Sequence, residues 1–335
     1  MAAIMSEPEL VFVGTSAEAL SATEREAIPQ LLGAAALAVS APRQSGYSVQ
    51  MAAINTGGNV VHGGNREYAF SASYVHGEEA VVSKLLSEHP NTPLLGLGVH
   101  GEFDPENDSF TLLCPCGNCR DVLLEEATPE LMLVAGNERG ATVARLSTFL
   151  CDVFRPAYSE KILAEPHMPA ALDAARNARD RSVTTYTSPN IFSRLYGVAL
   201  VDTAGNIFPG SLDSTASYDA VTPGVAAVQS FKNRPPGMSR EVNGLSAVVI
   251  AGMSDTVTPL YRDRNAITEL DDMLRLRENT SPTPVYIFGR EHEEEWRENS
   301  FVADTDEWLP FPFTSKALGR SGLLAAKLEQ LERYI

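Results

Sequence analysis

The chain has 335 residues, 44% hydrophobic and 21% charged, enough for about two soluble domains with cores of their own. Its formal charge is −17 with no basic cluster, which disfavours a phosphate backbone or an anionic membrane as partner and leaves a small molecule as the better substrate guess. Four cysteines, three of them within Cys114–Cys119, suggest metal chemistry in a reducing compartment in place of a disulfide framework. The start MAAIMSEPELVFVG has no positive charge before its short apolar run and no later stretch could span a bilayer, so a cytoplasmic protein is expected.

In chain order, residues 23–39 read as a helix interrupted or begun near Pro29, and 47–54 with 59–64 as a hairpin around a Gly-Asn turn. HGEEAVVSKLLSE is an amphipathic helix starting at His76, and CGNCRDVLLEE another starting at the cysteines. Between them LLGLGVH and SFTLLC read as a strand-like pair enclosing the polar loop GEFDPENDS. The stretch 158–184 carries Pro166, Pro169 and a polar helix, which places a boundary near residue 165. LSAVVIAGM, PVYIFGR and the terminal helix SGLLAAKLEQLERYI then repeat the alternation, giving an α/β class with two units, 1–165 and 166–335.

The two units are copies. MAAINTGGNVVHGGN at 51–65 lies without a gap over VALVDTAGNIFPGSL at 198–212, so that Gly58, Asn59 and Gly63 fall on Gly205, Asn206 and Gly210. Carried further, the offset sets Asn65 on Leu212, Glu67 on Ser214, His76 on Pro223 and Glu78 on Val225, and no cysteine follows Cys151. Each copy closes on a related phrase, FLCDVFRPA at 149–157 and WLPFPFTSKAL at 308–318. The second copy keeps the scaffold and lacks the chemistry.

That chemistry is concentrated in His76-Gly77-Glu78 and Pro115-Cys116-Gly117-Asn118-Cys119, the H-x-E…P-C-x-x-C pattern of zinc nucleobase deaminases. Two thiolates and an imidazole fill three corners of a tetrahedral Zn²⁺, and the fourth holds a water whose pKa falls toward neutrality. Glu78, two residues past the histidine, is placed to move protons. A helix N-terminus stabilises thiolates, so the cysteines stand where the physics favours them. A structural zinc or a redox pair at Cys116 and Cys119 is the competing use. A structural zinc wants four protein ligands, and Cys114, two residues from Cys116 across a proline, is poorly placed to be one of them.

With these residues in hand, the chain resembles the cytidine deaminases, specifically the two-domain homodimeric type whose C-terminal core is degenerate. The resemblance is carried by Tyr47-Ser48-Val49, Gly63 to Ala69, Val75 to Glu78 and Pro115 to Arg120, in family order. It implies a mixed sheet flanked by helices in each unit and one Zn²⁺ per chain on His76, Cys116 and Cys119, with Glu78 as the catalytic proton shuttle. It further implies Tyr47 against a pyrimidine, Asn65 and Glu67 on ribose hydroxyls, and the backbones of Gly77 and Cys114 near the amino group. An amide and a carboxylate two residues apart on an extended segment can grip neighbouring hydroxyls. Gly77 stands where alanine is usual, Cys114 where threonine is common, and Gln50 where glycine is usual. Arg120 has two readings, a donor to a zinc thiolate or a helix-surface arginine. His62, His89, His100, His167 and His292 have no ligand-spaced partners.

The expected reaction is deamination of cytidine or 2′-deoxycytidine to the uridine counterpart and ammonia, in pyrimidine salvage. The alternatives are the same chemistry on an N4-substituted or antibiotic-type cytosine nucleoside, and a non-catalytic nucleoside-binding scaffold. The expected partners are a pyrimidine nucleoside and a second copy of the chain, with no nucleic acid and no membrane.

Overall fold

A computed structural model describes residues 8–69, 74–103, 110–150, 155–156, 166–184, 195–214, 220–234, 244–253, 259–278, 280–289 and 300–309. The chain divides into two compact units, Met1–Leu150 and Cys151–Ile335. Between Leu150 and residue 165, Arg155 and Pro156 pair with Val302 and Phe301 of the second unit.

The first unit is a six-stranded mixed sheet of β1 (Glu9–Val13), β2 (Gln50–Asn55), β3 (Val60–Gly64), β4 (Leu94–His100), β5 (Met132–Gly136) and β6 (Gly140–Arg145), in the order β1-β6-β5-β4-β2-β3. The β1–β6 and β4–β5 pairs are parallel and the others antiparallel. Helix α1 (Ala22–Ala36) covers one face, packing Ala27, Ile28, Leu31 and Leu32 on Ala52, Ile54, Val134 and Val143. Helix α2 (Gly77–Glu88), the single turn α3 (Phe110–Leu113) and α4 (Gly117–Glu126) cover the other, where Val81, Val82, Leu85 and Leu123 meet Met51, Leu97 and Leu133. Alternate strand residues thus serve two cores.

Helix α1 is continuous through Pro29, against the interruption read from the sequence. Pro29 is exposed, so its ring disturbs only the solvent side, and Ser21 and Glu24 close a capping box at the start. SFTLLC is also not a strand: Phe110–Leu113 is helical, and the loop residues 104–109 lie outside the described set.

The second unit repeats the plan with β7 (Arg155–Pro156), β8 (Tyr196–Asp202), β9 (Ile207–Gly210), β12 (Leu245–Gly252), β13 (Pro284–Phe288) and β14 (Ser300–Asp304), in the order β7-β14-β13-β12-β8-β9. A short ribbon of β10 (Asp213–Ser214) and β11 (Ala220–Val221) stands apart. Five strands match the first unit in order and direction, and the edge differs, because β7 is antiparallel to its neighbour where β1 is parallel. Helix α5 (Met168–Asp180) takes the place of α1. Its stripe of Met168, Ala171, Leu172 and Ala175 packs on Ala199, Val201, Ala247 and Val249, a face narrow enough to be hidden among its charges in the sequence. Helices α6 (Pro223–Lys232) and α7 (Tyr261–Glu278) are the unit's other described helices.

The hairpins agree bond for bond. Met51 pairs with Gly63 as Val198 does with Gly210, and Gly58 and Gly205 both have positive φ, 78° and 83°. The side chain of Asn55 accepts from the backbone of Gly57 and Asn59 at 3.0 Å each, and that of Asp202 accepts from Ala204 and Asn206 at 3.0 and 2.8 Å. After the hairpin the offset of 147 must be shortened by one. Arg66 bridges to Val75, and Asp213 pairs with Val221, so His76 corresponds to Thr222 and Glu78 to Gly224, not to Pro223 and Val225. The intervening loop is one residue shorter, which a gap-free alignment cannot register. The proposed terminal helix 321–335 and His292 lie outside the described residues, and no described helix is long and apolar enough to cross a membrane.

Candidate metal centre

Two helix starts converge on one spot. His76 is the N-cap of α2 and Cys116 the N-cap of α4, with Cys119 buried in the first turn of α4. His76 Nδ1 lies 3.2 Å from Cys116 Sγ and 3.3 Å from Cys119 Sγ, and the sulfurs are 3.5 Å apart. Zinc bonds of about 2.0 Å to nitrogen and 2.3 Å to sulfur in a tetrahedron give edges of about 3.5–3.8 Å, so the three donors fit the ion in type and number and need to spread by about 0.2–0.3 Å to seat it. Among the described residues they are the one His, Cys, Asp or Glu cluster close enough to hold a metal.

Among the protein groups alone, the hydrogen bond to Cys116 holds His76 up at about 9 against the downward pull of burial. Cys116 sits well below the usual thiol range, chiefly because of its hydrogen bond with Cys119, and burial above all holds Cys119 well above that range. The carboxyl of Glu78 is raised first by burial and then by the charge on Cys116. Glu78 also lines a cavity of about 10 Å³ with Met51, Leu97, Val99, Leu113 and Pro115, close to the room one water requires.

Gly77 answers a local packing demand. A Cβ there would lie 2.9 Å from Met51 Cγ and Sδ and 3.0 Å from Val49 Cγ1, so the methionine fills the space an alanine would use. Cys114 is buried and accepts from Arg120 at 2.9 Å. Arg120 itself is fully buried, which removes the surface reading. It donates to the Pro115 carbonyl at 2.8 Å and the Phe149 carbonyl at 2.8 Å, so it braces the ligand loop from beneath.

Asn65 and Glu67, just after β3, bond to the loop before β2 that carries Tyr47. Glu67 is buried and its carboxylate accepts from Gln44 N at 2.5 Å, Ser45 N at 2.9 Å and the Ser45 hydroxyl. Burial acting upward on its pKa is outweighed by the Ser45 and Gln44 hydrogen bonds, which keep the carboxyl below its ordinary range. The Asn65 amide accepts from Val49 N at 3.0 Å and donates to Tyr47 O at 2.9 Å. Both side chains therefore shape the segment that carries half-buried Tyr47. Their remaining lone pairs and Asn65's second N–H are what they have left to offer a ligand hydroxyl.

Two groups escaped the sequence reading. Glu79 accepts from His76 N at 3.0 Å and from the Asn118 amide, linking the starts of α2 and α4. A glutamate three residues after a helix cap is the capping-box spacing and could have flagged the first contact. The second is tertiary and leaves no local signal.

No protein-family model and no curated protein matches the chain. Among solved structures it is similar to a cytidine deaminase from Burkholderia pseudomallei, 21% identical over 43% of this chain and 98% of that one, with a TM-score of 0.32. A cytidine deaminase from Mycobacterium tuberculosis is 31% identical over 38% and 95%, with a TM-score of 0.27. One from Mycobacterium leprae is 27% identical over 34% and 87%, with a TM-score of 0.25.

Proposed function

We propose that the first unit deaminates cytidine or 2′-deoxycytidine hydrolytically, giving the uridine product and ammonia, with one Zn²⁺ held by His76, Cys116 and Cys119. The observation that carries this reading is the convergence of those three donors beside a glutamate two residues past the histidine, a carboxylate for which a purely structural metal has no use. Bound zinc supplies an activated water at its open position. Glu78 would take each proton in turn from the attacking water, passing the first to the ring N3 and the second to the departing amine. Tyr47 offers a flat wall to the pyrimidine, Asn65 and Glu67 set that wall and face the sugar, and the backbones at Gly77 and Cys114 border the amino group. Arg120 and Cys114 hold Pro115, and with it the approach to Cys116.

In this reading the second unit, which has the scaffold without the ligands, serves packing in a cytoplasmic homodimer. The test is ammonia release from cytidine, 2′-deoxycytidine, cytosine, CMP and N4-substituted cytidines by zinc-loaded protein, with metal counted per chain. Turnover of the first two at one zinc per chain, abolished together with metal in Cys116→Ala, is expected. Absence of ammonia from every nucleoside overturns the assignment.

A further inference from the structure

The second unit preserves the geometry of the metal centre while filling it differently. Arg264 in α7 donates to Pro259 O at 2.9 Å and to Trp308 O at 3.0 Å, as Arg120 does to Pro115 O and Phe149 O. That correspondence places Leu260 where Cys116 stands and Asp263 where Cys119 stands, and the shortened loop places Thr222 at His76. All three positions are joined by one carboxylate. One oxygen of Asp263 accepts from the Thr222 hydroxyl and from Val225 N at 3.1 Å, and the other from Tyr196 OH at 2.6 Å. The Tyr196 oxygen in turn accepts from Leu260 N at 2.9 Å. Asp263 is 0% exposed, and Thr222 and Tyr196 are buried with it.

We propose that Asp263 does for the second unit the structural work that the ion does for the first, tying the two helix starts together across a vestigial ligand cage. The comparison with the ion rests on the zinc reading. The hydrogen-bonded tie stands without it. A buried carboxylate with no cation is tolerated only when several donors converge on it, and here two hydroxyls and a backbone N–H do so. The cage also excludes the catalytic residue. Gly224 holds the place of Glu78, and a Cβ there would lie 2.6 Å from Asp263 Cβ and 2.7 Å from its Cγ. With this carboxylate in the cage there is no room for a side chain at 224, and so none for a glutamate in the place of Glu78.

The experiment is hydrogen exchange by mass spectrometry on the full chain, with and without chelator, beside Co²⁺ titration of the thiolate absorption. Chelation should speed exchange at the starts of α2 and α4 and leave 222–232 and 259–265 unchanged. Asp263→Ala should speed exchange in those two segments by about tenfold or more without altering metal content. Tyr196→Phe and Thr222→Val, each deleting one donor, should do the same more mildly and serve should Asp263→Ala not fold. The triple variant Thr222→His/Leu260→Cys/Asp263→Cys should bind a second Co²⁺. Unchanged exchange in the donor-deletion variants, or loosening of 222–232 by chelator in the parent chain, overturns the proposal. A parent chain that binds no Co²⁺ overturns the zinc reading, while faster exchange in Asp263→Ala would still support the tie.

Discussion

Glu78 occupies the second position of α2, one residue past the glycine that lets the helix start press against Met51. Glu78→Gln keeps the shape and removes the proton-carrying group, so we expect turnover to fall by about 10²–10⁴-fold with zinc content unchanged. Turnover and elemental analysis of the same preparation check this, and a loss of zinc would mean that Glu78 is a ligand. Asn65 and Glu67 divide their bonds between the Tyr47 loop and the sugar they are proposed to meet. In Asn65→Ala and Glu67→Ala the efficiency on cytidine should drop far more than that on cytosine; an unchanged ratio would leave both as loop-holding groups alone. The cluster of His76, Cys116 and Cys119 was legible in the sequence because those residue types stand there at short spacings. The Glu79–Asn118 and Arg120–Cys114 contacts were not, since each joins groups that only the fold brings together.

Helix α1 shows how one residue can fix the start of an element both locally and to the sheet. Glu24 closes the capping box with Ser21 and also pairs with Arg145 at the end of β6, whose guanidinium further donates to Glu130 O at 2.7 Å and Ala19 O at 3.0 Å. Burial acts to raise the Glu24 carboxyl, but Arg145 and Ser21 outweigh it and hold its pKa below the ordinary value. A depressed folded-state pKa gives stability that is complete above the unfolded-state value and is lost as pH falls through the folded one. Glu24→Gln should therefore cost on the order of 3 kcal/mol at neutral pH and flatten the loss of stability in acid, read from urea melts across pH. Equal acid sensitivity in both proteins would show that the pair contributes nothing. The capping box is a sequence pattern, S-x-x-E, and could be read. The ion pair spans most of the first unit in sequence and could not. The same contrast governs the repeat, where gap-free hairpin matching worked and the one-residue loop deletion misassigned every position beyond it.

At the scale of the molecule, one chain carries two copies of a fold and one set of ligands. We expect one zinc per chain by elemental analysis, and a homodimer by light scattering. A fragment ending at residue 165 should be insoluble or nearly inactive although it holds all three ligands. A soluble monomeric fragment as active as the full chain would remove the packing role assigned to the second unit. The α/β class and its duplication were legible from hairpin and helix periodicity. The Asp263 tie between two helix starts was not, although Pro259 to Arg264 keeps the proline and arginine spacing of Pro115 to Arg120.

The bond from Arg120 to the Phe149 carbonyl sets a limit on where the first unit can be cut without disturbing the ligand loop. Phe149 lies one residue before the first unit ends at Leu150, yet it anchors the guanidinium that braces Pro115 and the helix bearing Cys116 and Cys119. Trimming the chain to residue 145 would spare every ligand and every strand but strand a buried cation, and the ligand loop would go slack. Any fragment made to test the first unit alone, and any fusion that splices new sequence into the chain, should be cut after Leu150 and never within Leu146–Phe149.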